Sequence, residues 1–178
     1  MKKFLVLLVA SVFAFAADYK LDTAHSQVGF KIKHYVVSNV NGNFGKFDGT
    51  LSADNGKLTA LNGEVDISSI NTNNQNRDEH IKAPDYFDAQ KFPKATLKLI
   101  KMSGDNGEFD LSIKGVTKRV NLGVEIFGVS QDERAGQEVI GLSISGKINR
   151  KDFGIAIGTQ SAVLGDEVTL TIDIEGRR

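Results

Sequence analysis

The sequence predicts an all-β protein of about eight antiparallel strands. Three observations support this. Apolar residues recur with a period of two in segment after segment, the mark of strands with one buried and one wet face. Short clusters of Gly, Asn and Asp separate several of these segments. The 178 residues include 18 glycines and only two prolines, with 40% apolar and 25% charged side chains. That composition suits strands and tight turns and argues against disorder. One-side-wet antiparallel strands in this number close into a barrel or stack into a sandwich.

The first segment is not a strand. Met1-Lys2-Lys3 is basic, Phe4 to Phe15 is apolar apart from Ser11, and Ala14-Phe15-Ala16 supplies small residues for a signal peptidase. This is the layout of a secretory signal peptide, expected to span 1–16 and to leave a single domain over 17–178. The apolar run falls short of the ~20 residues that span a bilayer. The mature domain is therefore expected to be soluble and exported, with any membrane contact transient. Losing Lys2 and Lys3 leaves 20 basic against 22 acidic side chains. Such a balance recruits no nucleic acid.

Strands follow in order. Val28, Phe30, Ile32 and His34 alternate with Gln27, Gly29, Lys31 and Lys33. The same parity runs through Leu61–Ile67, Leu97–Leu99 and Phe109–Ile113. It recurs in Val120–Ile126, Ile140–Ile148 and Val168–Ile174. Turns are expected at Asn41-Gly42, Asp54-Asn55-Gly56, Gly104-Asp105-Asn106-Gly107 and Gly165-Asp166. Residues 71–93 break the rhythm. An Asn-rich start offers an N-cap, Asp78 and Glu79 suit a first helical turn, and Pro84 stops it. A short helix over 77–83 is expected, with a further helical turn or tight loop over 84–91. A smaller irregular piece falls at Asn149–Ile155.

The chemistry the chain can do is limited. Cysteine is absent, which removes disulfides, thiolate nucleophiles, Cys-ligated metals and lipid attachment through cysteine. The three histidines are His25, His34 and His80. The first two lie ~30 Å apart along an extended chain, so no metal site is expected. Ser26 beside His25 forms no nucleophile elbow, because neighbours on a strand point to opposite faces. No phosphate loop is present, so no nucleotide cofactor is expected. Asp78, Glu79, Asp85 and Asp88 read as helix caps and partners of Arg77 or Lys82 before they read as an acid–base pair. What remains is the interior. About eight closed strands leave room for packed side chains or for one slim ligand. Phe30, Phe44, Phe47, Phe87, Phe92 and Phe153 are candidates for lining it, and an ordinary core is the competing reading.

Asp22-x-x-His25-Ser26-x-Val28-x-Phe30-x-x-x-His34 precedes Gly42-x-Phe44-x-x-Phe47-x-Gly49. Ser69-Ile70-x-Thr72 follows, then Arg77-Asp78-x-His80-Ile81-Lys82-x-x-Asp85-Tyr86-Phe87-Asp88 and Phe92-Pro93. Gly115-Val116-Thr117-Lys118 and Arg150-x-Asp152-Phe153-Gly154 complete the series. In this order and spacing the chain resembles the YceI-like family of polyisoprenoid-binding periplasmic proteins over nearly its whole length after the leader. Tyr86 stands where that family usually has the first Phe of Phe-Phe-Asp. The resemblance implies a lipocalin-like antiparallel β-barrel with a long apolar pocket, a bound isoprenoid or similar long-chain lipid, often a homodimer, and no enzyme activity. From their shared parity on strands and their place in the aromatic connection, the residues expected to line the lumen are Phe30, Ile32, Phe44, Phe47, Ile81, Phe87, Phe92, Ile113, Ile126 and Phe153. His34, Arg77, His80 and Lys82 are candidates for meeting the ligand's polar head. Residues 77–92 are expected to form the lid or mouth.

Overall fold

The computed structural model describes residues 16–178; the expected leader, but for Ala16, lies outside the described residues. Eleven strands form one sheet: β1 Ala17–Leu21, β2 Gln27–His34, β3 Ser38–Phe44, β4 Phe47–Asp54, β5 Lys57–Asp66, β6 Ile70–Asn71, β7 Lys94–Ser103, β8 Asn106–Ile113, β9 Val116–Asp132, β10 Gln137–Asn149 and β11 Leu164–Arg177. The pairing order β1-β4-β5-β7-β8-β9-β10-β11, with β11 returning to β1, closes a ring of eight strands. All neighbours are antiparallel.

The edge of β11 is shared. Gly176 and Arg177 pair with β1, whereas Leu164 and Val168–Asp173 pair with β2. The chain bends between these strands, so β1 continues to β4 and closes the ring, while β2 continues to β3 and then β6 as a flap. One half of the barrel is therefore tied shut and the other is splayed.

Inward-facing residues of the closed half pack solid. Leu51, Phe109, Leu122, Ile140, Leu142 and Ile144 are fully buried. The register follows from the alternation, since a slip of one residue would put this whole set in water.

Several turns fall where expected. Asn55 and Gly56 both have positive φ in the β4–β5 turn, and Gly104 has positive φ between β7 and β8. Two expected turns are strand instead. Asn41-Gly42 lies inside β3, where Gly42 faces Phe30 across the ladder. A Cβ there would come within 2.3 Å of the Phe30 ring, so this glycine makes room for an aromatic. Gly165-Asp166 lies at an irregular stretch of β11 between its pairings at Leu164 and Val168.

The long connection holds α1, Gln75–Ile81. It begins two residues earlier than expected because Asn74 is the N-cap, its side chain accepting from the Arg77 N–H. The helix ends at Ile81, and backbone hydrogen bonds then fold 82–92 into tight turns.

Candidate ligand cavity

The splayed half encloses a cavity of about 420 Å³. β2 and β3 contribute Val28, Phe30, Ile32, His34, Val40 and Phe44. β11 adds Leu164, Val168, Leu170 and Ile172. The ends of β5, β7, β8 and β10 form the opposite side. The roof is α1 and the turns after it, through Arg77, His80, Ile81, Tyr86 and Phe87. Aromatic rings join roof to wall. Phe44 lies 5.9 Å from Phe30 and 6.4 Å from Phe87, the latter pair edge to face.

Eight of the twelve expected site residues border this space: Phe30, Ile32, His34, Phe44, His80, Ile81, Phe87 and Ile113. The other four do not, for separate reasons. Phe47 starts β4 and borders a shallow surface depression with Leu21 and Arg177. Phe92 covers the Lys114-Gly115 turn, its ring 2.6 Å from where a Gly115 Cβ would sit. Ile126 has the inward parity but pairs with Leu142 in the closed half. Phe153 is buried in a 3₁₀ turn, packed into the core.

Polar groups on the wall are few. The Arg77 Nε donates to the Thr72 hydroxyl at 2.7 Å, and its Nη2 donates to the Thr72 carbonyl at 2.7 Å. Thr72 in turn donates its hydroxyl and its N–H to one oxygen of Asp78, at 2.6 and 2.9 Å. Arg77 and Asp78 are thus linked through Thr72 and not by a direct pair. Among the described residues Arg77 Nη1 makes no hydrogen bond. The His80 ring packs 4.8 Å from Tyr86. Lys82 pairs outward with Glu79 and is absent from the wall.

Arg150 was not among the expected site residues. It borders the cavity yet is only 2% exposed. Its guanidinium donates to the carbonyls of Ile155, Ala156, Thr159, Leu164 and Gly165, and to Asp166. One side chain thereby shapes the whole 155–165 rim. Hydrogen bonds from Ser161 and Lys151 hold the Asp166 carboxyl below its ordinary value. Arg150 was visible only as part of a motif, and Thr72 likewise. Val168, Leu170 and Ile172 were legible as an inward face, but nothing in the sequence placed that face beside the cavity.

Asp22, His25 and Glu175 converge on the surface. Their shared cation is already present. Arg177 donates to Asp22 at 2.6 Å, to Glu175 at 2.7 Å and to Asp132 at 2.8 Å. This cluster ties the β1–β2 bend to the end of β11 and to the β9–β10 hairpin.

A YceI-like domain model matches residues 19–176. The chain belongs to the YceI-like family. Relatives of this YceI-like protein include a UPF0312 protein of Staphylococcus aureus strain N315. The two are 36% identical over 164 residues, 89% of this chain and 96% of the relative. The YceI protein of Campylobacter jejuni is 39% identical, with a TM-score of 0.74 over 90% of this chain and 97% of that one. A polyisoprenoid-binding domain from Saccharophagus degradans, implicated in plant cell wall breakdown, shares the YceI-like fold. Its TM-score is 0.69 at 16% identity, covering 89% of this chain and 97% of that one.

Proposed function

We propose that this YceI-like protein holds one polyisoprenoid or similar long-chain amphiphile in the splayed half of its barrel, for transport, storage or sequestration. The observation that carries the reading is the cavity itself: about 420 Å³ of space walled almost wholly by aliphatic and aromatic side chains. That volume lies within the ordinary range of ligand pockets. Burying about 20 ligand carbons offers roughly 16 kcal/mol of gross transfer energy at ~0.8 per methylene. Chain ordering and lost translation remove much of this, and micromolar binding stays within reach. An apolar wall reads length and girth, so selectivity among isoprenoids, fatty acids and amides is loose. Arg77 Nη1 and the imidazoles of His34 and His80 are the groups available to a polar head. The polyisoprenoid-binding neighbour in the same fold supports the ligand class.

On this reading the protein is a binder and not an enzyme, exported by its leader to the periplasm, and able to pair with a second copy. Phe30→Asp places a carboxylate in the lumen. Titration with a fluorescent long-chain fatty acid is expected to show at least tenfold weaker binding, with the fold retained by circular dichroism; ~1.4 kcal/mol suffices for that factor. Unchanged affinity would put the ligand outside the barrel. Mass spectrometry of lipid extracted from protein recovered from the periplasm identifies the native ligand and tests export together.

A further inference from the structure

We propose that the tip of the β2–β3 hairpin, Tyr35-Val36-Val37, inserts into an anionic phospholipid bilayer and seats the cavity mouth on it. The inference rests on the cavity being a lipid site. Four observations carry it.

The tip is apolar and displayed. Val36 is 67% exposed and Val37 is 87% exposed, and Tyr35 is 58% exposed beside them. Single exposed apolar residues are common, whereas three in succession at a protruding turn are not.

The display is held against local preference. Tyr35 and Val36 have φ of 48° and 63°. Tight hairpins with consecutive positive φ favour Asn and Gly, and a β-branched residue in that region is an outlier. A turn selected for stability alone would carry neither side chain.

The tip adjoins the cavity. His34, one residue before it, lies on the cavity wall, and its ring is 4.6 Å from that of Tyr35. The Tyr35 N–H donates to the carbonyl of Val163, next to the wall residue Leu164. The connection leading to Val163 displays a further apolar side chain, Ile157, 64% exposed.

Charge around the tip suits an anionic surface. Residues 31–40, the strand stretches flanking the tip, contain Lys31 and Lys33 and no carboxylate, and residues 153–165 contain no charged side chain. Of the two carboxylates that follow this second segment, Asp166 is held by Arg150 and Lys151 and Glu167 pairs with Lys147. Apolar insertion and attraction to anionic lipid add in interfacial binding.

The test compares wild type with Val36→Asn/Val37→Ser, both purified as the host processes them. Neither residue borders the cavity. Co-sedimentation is measured with vesicles of phosphatidylethanolamine plus phosphatidylglycerol and with vesicles of phosphatidylcholine alone. Wild type is expected to bind the anionic vesicles, and the variant to bind them on the order of tenfold more weakly. Transfer of a fluorescent long-chain fatty acid from those vesicles into the protein should slow by a similar factor. Uptake of the same probe from free solution should not change. Absence of vesicle binding by wild type, or equal binding by both proteins, overturns the inference while leaving the lipid site intact. Failure of wild type to take the probe from solution overturns the lipid site instead, and the vesicle arm then stands or falls by itself. Ile157→Ser provides a second variant if the altered turn fails to fold, with a smaller loss in the same direction expected.

Discussion

At the end of the ring where β1 joins β4 to β11, Leu51, Phe109, Leu122, Ile140, Leu142 and Ile144 are at most 1% exposed. At the end where β2 takes the place of β1 beside β11, Phe30, Phe44, Phe87, Val168, Leu170 and Ile172 are half-buried around empty space. Both sets are apolar, and all but Phe87 follow the period-two pattern of inward faces. The difference lies in which strand covers the edge of β11. Where β1 covers it, the ring closes and side chains meet across it. Where β2 covers it, the sheet peels away into a flap, and α1 with its following turns roofs the gap. Hollowness here is a property of topology, carried by the bend at Asp22–Ser26, and not of residue type.

Truncating the two halves should separate them most clearly. Phe109→Ala opens a void in close packing and is expected to cost about 3–5 kcal/mol in chemical denaturation. Arg150→Met leaves the carbonyls of Ile155, Ala156, Thr159, Leu164 and Gly165 short of donors, at a cost of about 3 kcal/mol. Hydrogen exchange should then show protection lost around 155–165 and kept in the paired amides of β9 and β10 near Ile140. Phe87→Ala merely enlarges an existing cavity. Its cost in the ligand-free protein should stay below about 1 kcal/mol, while release of a fluorescent fatty acid accelerates severalfold. A large loss of stability with unaltered release would make Phe87 a plug and dissolve the contrast.

Acidity probes the closed half. Arg177 lowers Asp132, Arg178 and Tyr19 lower Glu138, and a hydrogen bond with His25 lowers Asp22. These carboxylates stabilise the fold above their ordinary values, and the contribution is lost as pH falls through the depressed ones. His25 is raised by Asp22, so its contribution is complete below 6.5 and disappears as pH rises through the higher value. His25 is exposed and the three carboxylates are half-buried at the surface within reach of salt, so the effect is modest. Melting temperature should peak in the mildly acidic range and fall below about pH 4. In 1 M salt the peak should flatten. The smallest effect is expected from EDTA: with Arg177 already neutralising Asp22 and Glu175, chelator should leave the melting temperature unchanged. A drop would reveal an ion at that cluster.

The sequence made the all-β class legible because its alternation is strict in β2, β8, β10 and β11. It hid β3, where Asn41-Gly42 imitates a turn signal: Gly42 is there to seat Phe30, and the ladder overrides the local preference of Asn41. Parity placed His34, Phe30 and Ile32 on the cavity wall correctly, since wall and core share one face. The same parity misplaced Ile126, because alternation fixes which face a residue takes and not how far along the barrel it lies. Phe92 and Phe153 were misplaced on the lining, as irregular segments carry no period to position them. Arg150 escaped notice for a related reason: its role is to satisfy backbone carbonyls, and those depend on a loop path that no local pattern encodes.

The pairing of Lys20 with Arg177 and Leu21 with Gly176 has a kinetic side. The strand that completes the ring lies at one end of the domain and its partner at the other, so the final seam forms only when both ends are free to meet. Contacts this distant in sequence are expensive in loop entropy and form slowly. Until they do, the nascent chain lacks its closed half and stays pliable. For a polypeptide proposed to be threaded through a secretion channel before it acquires its shape, slow closure keeps it competent to be threaded.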